Sequence, residues 1–304
     1  MSANLKSVLT AAGIALLIIT LCVRLIAPKL PPLVGRADVH EVRDFVHANP
    51  GTLRLDSTDG LVTVVRGQGN SIACKAVIRA FRRGDTSNEE LRRLVADLVR
   101  VREEQGTLIV QTEPEPRRAD FDIFVQYDFT VPEGTNVEIT SNNGNVWVRE
   151  GCGDVRIVGR NSDIDIVRPL GTVDVQSVNG RIQLAEAPKG ATLRTVNGDV
   201  YAAVAGGRLD ASTDNGVIHA SLLGAGVEEA TLTSQNGGVN VKMANDASAS
   251  ITATALRGNV ESQFVVNTSE GAQQPRYLKG TIGDGRARIN LDTLNGNIVI
   301  ARSE

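Results

Sequence analysis

The sequence predicts an all-β fold, a single-stranded right-handed β-helix or solenoid with coils of eighteen residues. Three observations predict it. Pairs of apolar residues two apart recur every nine positions, an Asn-Gly step returns every eighteen, and aromatic side chains make up only 3% of the 304 residues. Residues i and i+2 of a strand face the same side, so each apolar pair is a minimal inward-facing strand. Stacked β-branched side chains need few large rings to fill a core.

The register starts at Val137/Ile139 and runs through Val146/Val148, Val155/Ile157, Ile164/Ile166, Val173/Val175, Ile182/Leu184, Ala191/Leu193, Val200/Ala202 and Leu209/Ala211 to Ile218/Ala220. It skips three residues to Ala230/Leu232 and Val239/Val241, then three more to Ile251/Ala253. After a weaker Val260/Ser262 and a longer excursion it closes on Ile289/Leu291 and Ile298/Ile300. Residues 136–304 therefore hold about eight coils, a stack of ~38 Å at the usual strand spacing.

Alternate pairs are followed by a tight corner: Asn143-Gly144, Asn161-Ser162, Asn179-Gly180, Asn197-Gly198, Asn215-Gly216, Asn236-Gly237 and Asn295-Gly296. Asn-Gly tolerates positive φ at low cost. Hairpins carry the same local signal but give no reason for its return every eighteen residues. A coil of two strands and two corners does. Stacked in chain order, these asparagines form a hydrogen-bonded column that Arg257-Gly258 breaks once. Calcium-binding nonapeptide rolls need serial Gly-Gly-x-Gly-x-Asp, and hexapeptide helices need an aliphatic every six residues; neither pattern occurs.

Residues 41–135 are less regular and read as an N-terminal cap, with an independent α+β domain as the alternative. Leu53/Leu55 and Val62/Val64 are again nine apart, with Asp59-Gly60 at the corner, so this is a diverged first coil. Longer strands are expected over 72–81, 107–111 and 121–130. Ser87 with Glu90 is a capping-box signature opening a helix over 87–105, with Leu91, Leu94, Val95 and Leu98 on one face. An open solenoid end exposes apolar surface and an unpaired edge, so a cap is physically required.

Ahead of the cap, residues 28–40 are a Pro-rich linker, and residues 1–27 form a transmembrane signal-anchor. Seventeen uncharged residues separate Lys6 from Arg24, near the minimum for a spanning helix. A cleaved signal peptide and a buried soluble helix are the alternatives. Arg24, Lys29 and Arg36 follow the span, and the positive-inside count alone would keep the solenoid in the cytoplasm.

The net charge of −3 provides no basic field, which excludes nucleic acid as a partner. Cys22, Cys74 and Cys152 make neither a disulfide framework nor a zinc spacing, and His40, His47 and His219 have no visible nucleophile partner. The chain is expected to be no enzyme, with no cofactor and no metal. The outward column of the second strands reads Trp147, Asp165, Gln183, Tyr201, His219 and Asn240, then Glu261 and Val299. That aromatic–polar mixture suits contact with a sugar or a protein, and it also suits an ordinary solvated face. Asp165 and Glu261 are too far apart to cooperate, while Asp163 and Asp165 leave an incidental cation site open.

The opening DSTDGLVTVVRG, the entry VPEGTNVEITSNNGNVWV, the units SVNGRIQL, TVNGDVYA and STDNGVIHA, and the close GTIGDGRARINLDTLNGNIVIA carry a resemblance. Over residues 41–304 the chain resembles the bacterial putative-adhesin family of unknown function, related to toast-rack solenoids of envelope-stress systems. The resemblance implies an extracytoplasmic solenoid on a single-pass anchor in the cytoplasmic membrane. It brings no catalytic residues to carry over. The expected role is adhesion or protein contact, with a protein or glycan ligand. An envelope-stress sensory or regulatory module is the alternative, as is a self-assembling scaffold that stacks through a sparsely covered C-terminal coil.

Overall fold

The computed structural model describes residues 39–48, 51–82, 87–113, 121–268 and 273–303. The signal-anchor and nearly all of the linker lie outside the described residues. Among those described, no helix is long and apolar enough to cross a membrane. The linker expected to run to residue 40 gives way to a strand at Val39. Twenty-three strands and one helix are present among the described residues.

The strands form two faces. One, here the Asn face, carries the strand of each coil that leads into the Asn-Gly corner. The other, here the Trp face, carries the strand that follows it. Neighbouring coils pair in parallel with a constant offset of eighteen residues through the centre, as in Val137↔Val155↔Val173 and Val146↔Ile164↔Ile182. The paired aliphatics point inward and are buried on both faces. Bulk is reserved for the ends. Phe121, Tyr127 and Phe129 are buried in the N-terminal region, where the Tyr127 hydroxyl shares a buried 2.8 Å hydrogen bond with Thr112 Oγ1. Phe264 is buried at the other end, with the Arg302 guanidinium 5.0 Å from its ring centre.

The Ser or Thr two places before every corner Asn but Asn161 has a definite role. Its side chain is buried, and in successive coils it donates to the corner glycine carbonyl of the neighbouring coil: Thr213 Oγ1 to Gly198 O (2.9 Å), Ser234 Oγ to Gly216 O (3.0 Å) and Thr293 Oγ1 to Gly237 O (2.7 Å). A half-buried corner carbonyl is thus given a partner from inside the coil.

One coil inverts this arrangement. Gly159 occupies the hydroxyl position, paired with Ser141 and Ser177, while Ser162 stands where the corner glycine belongs. Ser162 avoids positive φ and turns its side chain inward, where Oγ lies 3.3 Å from Ser141 Oγ. A Cβ on Gly159 would lie 3.2 Å from Ser162 Cβ, so the two positions share one space. Gly159→Ser and Ser162→Gly should each lower stability by about 1–2 kcal/mol, the first by crowding and the second by a lost hydroxyl and added chain entropy. The double variant, which restores the repeat, should recover most of that loss. Urea unfolding of the four proteins tests this, and additive losses would refute the shared space.

Coils do not stack in chain order. The coil Ala287–Asn295/Ile298–Arg302 pairs with Ile218–Asn236/Val239–Met243 on one side and with Ala249–Arg257/Val260–Ser262 on the other. The C-terminal coil is therefore one step inside the end, which corrects the expectation that it lies sparsely covered. Val299 sits between Asn240 and Glu261 rather than at a free edge, so the basis for end-to-end assembly through this coil falls away. The outermost coil is covered on the Asn face by antiparallel Tyr277–Ile282.

The N-terminal end mirrors this. Thr52–Asp59/Val62–Arg66 lies between Asn136–Asn143/Val146–Arg149 and a further coil, Thr107–Thr112/Phe121–Val131. Antiparallel Val99–Glu104 closes the Asn face, and antiparallel Ser71–Arg82 then Val39–Ala48 extend the Trp face.

The helix spans Asn88–Ala96, with Ser87 Oγ accepting from Glu90 N at 3.1 Å, and buries Leu91 and Val95. It does not run to 105. Arg43 Nη2 donates to the carbonyls of Val95 (2.8 Å) and Ala96 (2.7 Å), satisfying the terminal acceptors. The alternating Val99-Arg100-Val101-Arg102 that follows then pairs as a strand.

The corner asparagines explain the coil order. Each Nδ2 donates to the Oδ1 one coil nearer the N-terminal end: Asn143 to Asp59, Asn161 to Asn143, Asn179 to Asn161, Asn197 to Asn179, Asn215 to Asn197, Asn236 to Asn215 and Asn295 to Asn236, all at 2.7–2.9 Å. Asp59 has no donor and can only close the accepting end. Arg257 has no acceptor and closes the donating end, with Nη1 3.5 Å from Asn295 Oδ1. Arg257 is the terminus of the column, not a break in it. In chain order it would sit between Asn236 and Asn295, and the Asn295 amide would face a guanidinium, donor against donor.

Candidate functional site

Period-two alternation turns every second residue of the Trp face outward, and strand pairing lines these up in one row, most of it half-buried and Thr63 buried. From the N-terminal edge the row is Asp44, Lys75, Asp128, Thr63, Trp147, Asp165, Gln183, Tyr201, His219, Asn240, Val299 and Glu261. It crosses twelve strands, ~53 Å at the usual spacing. All six residues expected on a contact face fall consecutively within it. The sequence reading missed the N-terminal extension through Lys75 and Asp128, because the strand of Lys75 is antiparallel and the parallel strand of Asp128 belongs to a coil outside the nine-residue register.

The row has internal chemistry. Tyr201 and His219 stack with ring centres 4.8 Å apart and planes 9° from parallel, the ring separation of adjacent strands. The Asn240 amide lies 3.4 Å from His219 Nδ1. Arg149, two residues after Trp147, donates from Nη2 to Asp165 Oδ2 at 2.7 Å. The other carboxylate oxygen, Oδ1, is buried and accepts no hydrogen bond. Burial pushes the Asp128 carboxyl above the usual range, against the lowering effect of donors from Gln126 Nε2 at 2.9 and 3.2 Å.

Among the described residues, the cysteine thiols are not poised as nucleophiles. Cys74 and Cys152 are buried free thiols; burial pushes Cys74 well up and Cys152 to about 12, so neither is a thiolate at neutral pH. His40 lies exposed on the edge strand, and His47 Nδ1 is 3.5 Å from a Glu103 carboxylate oxygen. Asp163 Oδ1 accepts from Arg181 N at 2.8 Å and Asp165 is paired with Arg149, so both carboxylates have protein partners. Among the described residues, no three His, Cys, Asp or Glu side chains gather to hold a metal ion. The arrangement offers a long row of mixed aromatic and polar groups, turned outward and mostly half-buried.

Residues 50–301 match the protein family described as Toastrack DUF4097. None of the curated proteins matches the chain. Among solved structures, a putative adhesin from Bacteroides fragilis is similar at 12% identity and a TM-score of 0.49, covering 88% of this chain and all of that one. A putative adhesin from Parabacteroides distasonis is similar at 8% identity and a TM-score of 0.41, covering 87% and 97%. A putative cell adhesion protein from Clostridium sporogenes is similar at 10% identity and a TM-score of 0.26, covering 86% and 100%.

Proposed function

The chain belongs to the Toastrack DUF4097 family, and on that premise we propose that it is a non-enzymatic, membrane-anchored protein of the cell envelope that works by contact. The observation that carries this reading is the unbroken twelve-strand outer face with its row from Asp44 to Glu261. Repeated, evenly spaced side chains on a rigid sheet suit many weak contacts made together. The apolar run between Lys6 and Arg24 supplies the tether to the cytoplasmic membrane, and the solenoid stands outside it.

Two measurements in living cells test the proposal. A reporter fused after Glu304 should be active outside the cytoplasm. Deleting the gene should reduce attachment of the cells to their surfaces or partners several-fold, and the full-length chain should restore it. A cytoplasmic reporter would overturn adhesion, as would undiminished attachment of the deletion strain. Loss of an envelope-stress response with attachment intact would instead favour the sensory module.

A further inference from the structure

We propose that the edge strand Val39–Ala48 pairs with the same strand of a second copy of this chain, antiparallel about a two-fold axis, so that two Trp faces join in one sheet. Among the described residues this strand pairs on one side only, with Ser71–Arg82. Its free side presents a row of backbone N–H and C=O groups, which is a template for another strand. The other ends of the stack are blunted. Val99–Glu104 carries four charged side chains in six residues, Val260–Ser262 is three residues long, and Gln273–Gln274 covers part of Tyr277–Ile282. Val39–Ala48 instead runs ten residues in unbroken register, without Pro, Lys or a bulge. Val42 and Val46, 45% and 67% exposed, stand on its outer face.

The order of the side chains selects the occupant. Directly opposite residues of antiparallel strands face the same side, so a two-fold axis normal to the sheet sets one residue against its own mate. Centred on Arg43 or Asp44, the pairing would oppose like charges, and centred on Phe45 it would set Arg43 against His47. Centred on Val42, every pair is complementary: Val42 meets Val42, Glu41 meets Arg43, His40 meets Asp44 and Val39 meets Phe45. His40 can donate to a carboxylate in either protonation state. Arg43 is already fixed, by the Val95 and Ala96 carbonyls and by Glu41 Oε1 of its own chain at 2.6 Å, so pairing costs it little further freedom. Against an unrelated strand the same charges find no set mates and oppose pairing. Each copy has one such edge, so association closes at two. Asp44, which heads the outward row, then lies opposite His40 of the second copy, and the two rows continue in a single sheet.

Disulfide trapping reads the register directly. The full-length chain in detergent, carrying Cys22→Ser, is mildly oxidised with either Val42→Cys or Val46→Cys in place. Directly opposite Cβ atoms lie ~4.5–5.5 Å apart, within disulfide reach, so Val42→Cys should convert most of the chain to a reducible dimer. The two copies of residue 46 would stand ~27 Å apart along the strands and should not cross-link. Sedimentation of the chain without added cysteines supplies a second measurement. Val42→Lys sets two ammonium groups against each other and should raise the dimer dissociation constant at least tenfold. Val265→Lys, at a residue 83% exposed near the opposite end, should leave it unchanged. Melting curves establish that the variants are folded. A chain that sediments as a monomer at tens of micromolar overturns the proposal, as does a dimer that Val42→Lys leaves intact. So does a cross-link at 46 with none at 42. None of these readouts depends on what the outward row contacts.

Discussion

Replacing Gly180 with Ala is expected to lower the stability of the solenoid by about 3–5 kcal/mol, since overpacking and backbone strain act together. Gly180 has φ +135°, and a Cβ there would stand 2.2 Å from the carbonyl oxygen of Ser162 and 2.6 Å from its carbon. Those atoms are backbone in the middle of a stack, held by parallel neighbours on both sides, so neither can step aside. A comparison isolates the close approach. Gly134 also has positive φ, +80°, but a Cβ there would have no heavy atom within 4 Å. Gly134→Ala should therefore cost about 1 kcal/mol, the conformational term alone. Urea midpoints and melting temperatures measure both; at this size the Gly180 variant should melt ~10 °C lower. Equal losses at the two positions would mean that the corner is not closed by contact between coils.

The fold was legible wherever it is local. Inward pairs nine apart and a corner every eighteen lie within one coil, and the structure builds them as spaced. What the spacing could not carry is which coil touches which. Every coil presents the same strand pairs and the same corner, so periodicity accepts any order, and chain order is merely its simplest assumption. The deciding signal was chemical and visible. An arginine in a column of amides can only stand at the donating end, and an aspartate only at the accepting end. The coil Thr107–Thr112/Phe121–Val131 escaped because an excursion separates its two strands, so Leu108/Val110 and Tyr127/Phe129 are not nine apart. The helix was overextended because Leu98 continues its apolar stripe, while the capping arginine comes from residue 43, far away in sequence. The contact row was legible as a list of residues. The Arg149–Asp165 pair and the Tyr201–His219 stack were not, since both depend on side-chain geometry across strands.

Ending the chain after Asp284 should unfold the C-terminal third of the solenoid rather than shorten it by one coil. In a solenoid stacked in chain order, the last coil touches one neighbour, and its removal exposes an equivalent end. Here the removed coil is paired on both sides and both faces, so four strand pairings vanish instead of two. Ile289, Leu291, Ile298 and Ile300, all buried, leave with it. At about 2 kcal/mol each their burial contributes ~8 kcal/mol, comparable to the whole stability of a typical domain. Further locks go too. Ser303 N donates to Met243 O (2.7 Å), Ala287 N to Ser248 O (3.0 Å) and Gln263 N to Ile300 O (2.9 Å), and Arg302 covers Phe264. The strands Ala249–Arg257 and Val260–Ser262 then face a gap one coil wide. Hydrogen exchange of the shortened protein should show lost protection over residues 218–262, with strands from Asn136 to Asn197 retaining theirs. Protection retained through residue 262 would mean that the outer coil closes onto Ile218–Asn236, with Arg257 donating to Asn236 directly. The polarity of the column permits that contact, so the experiment separates what the ladder tolerates from what the core requires.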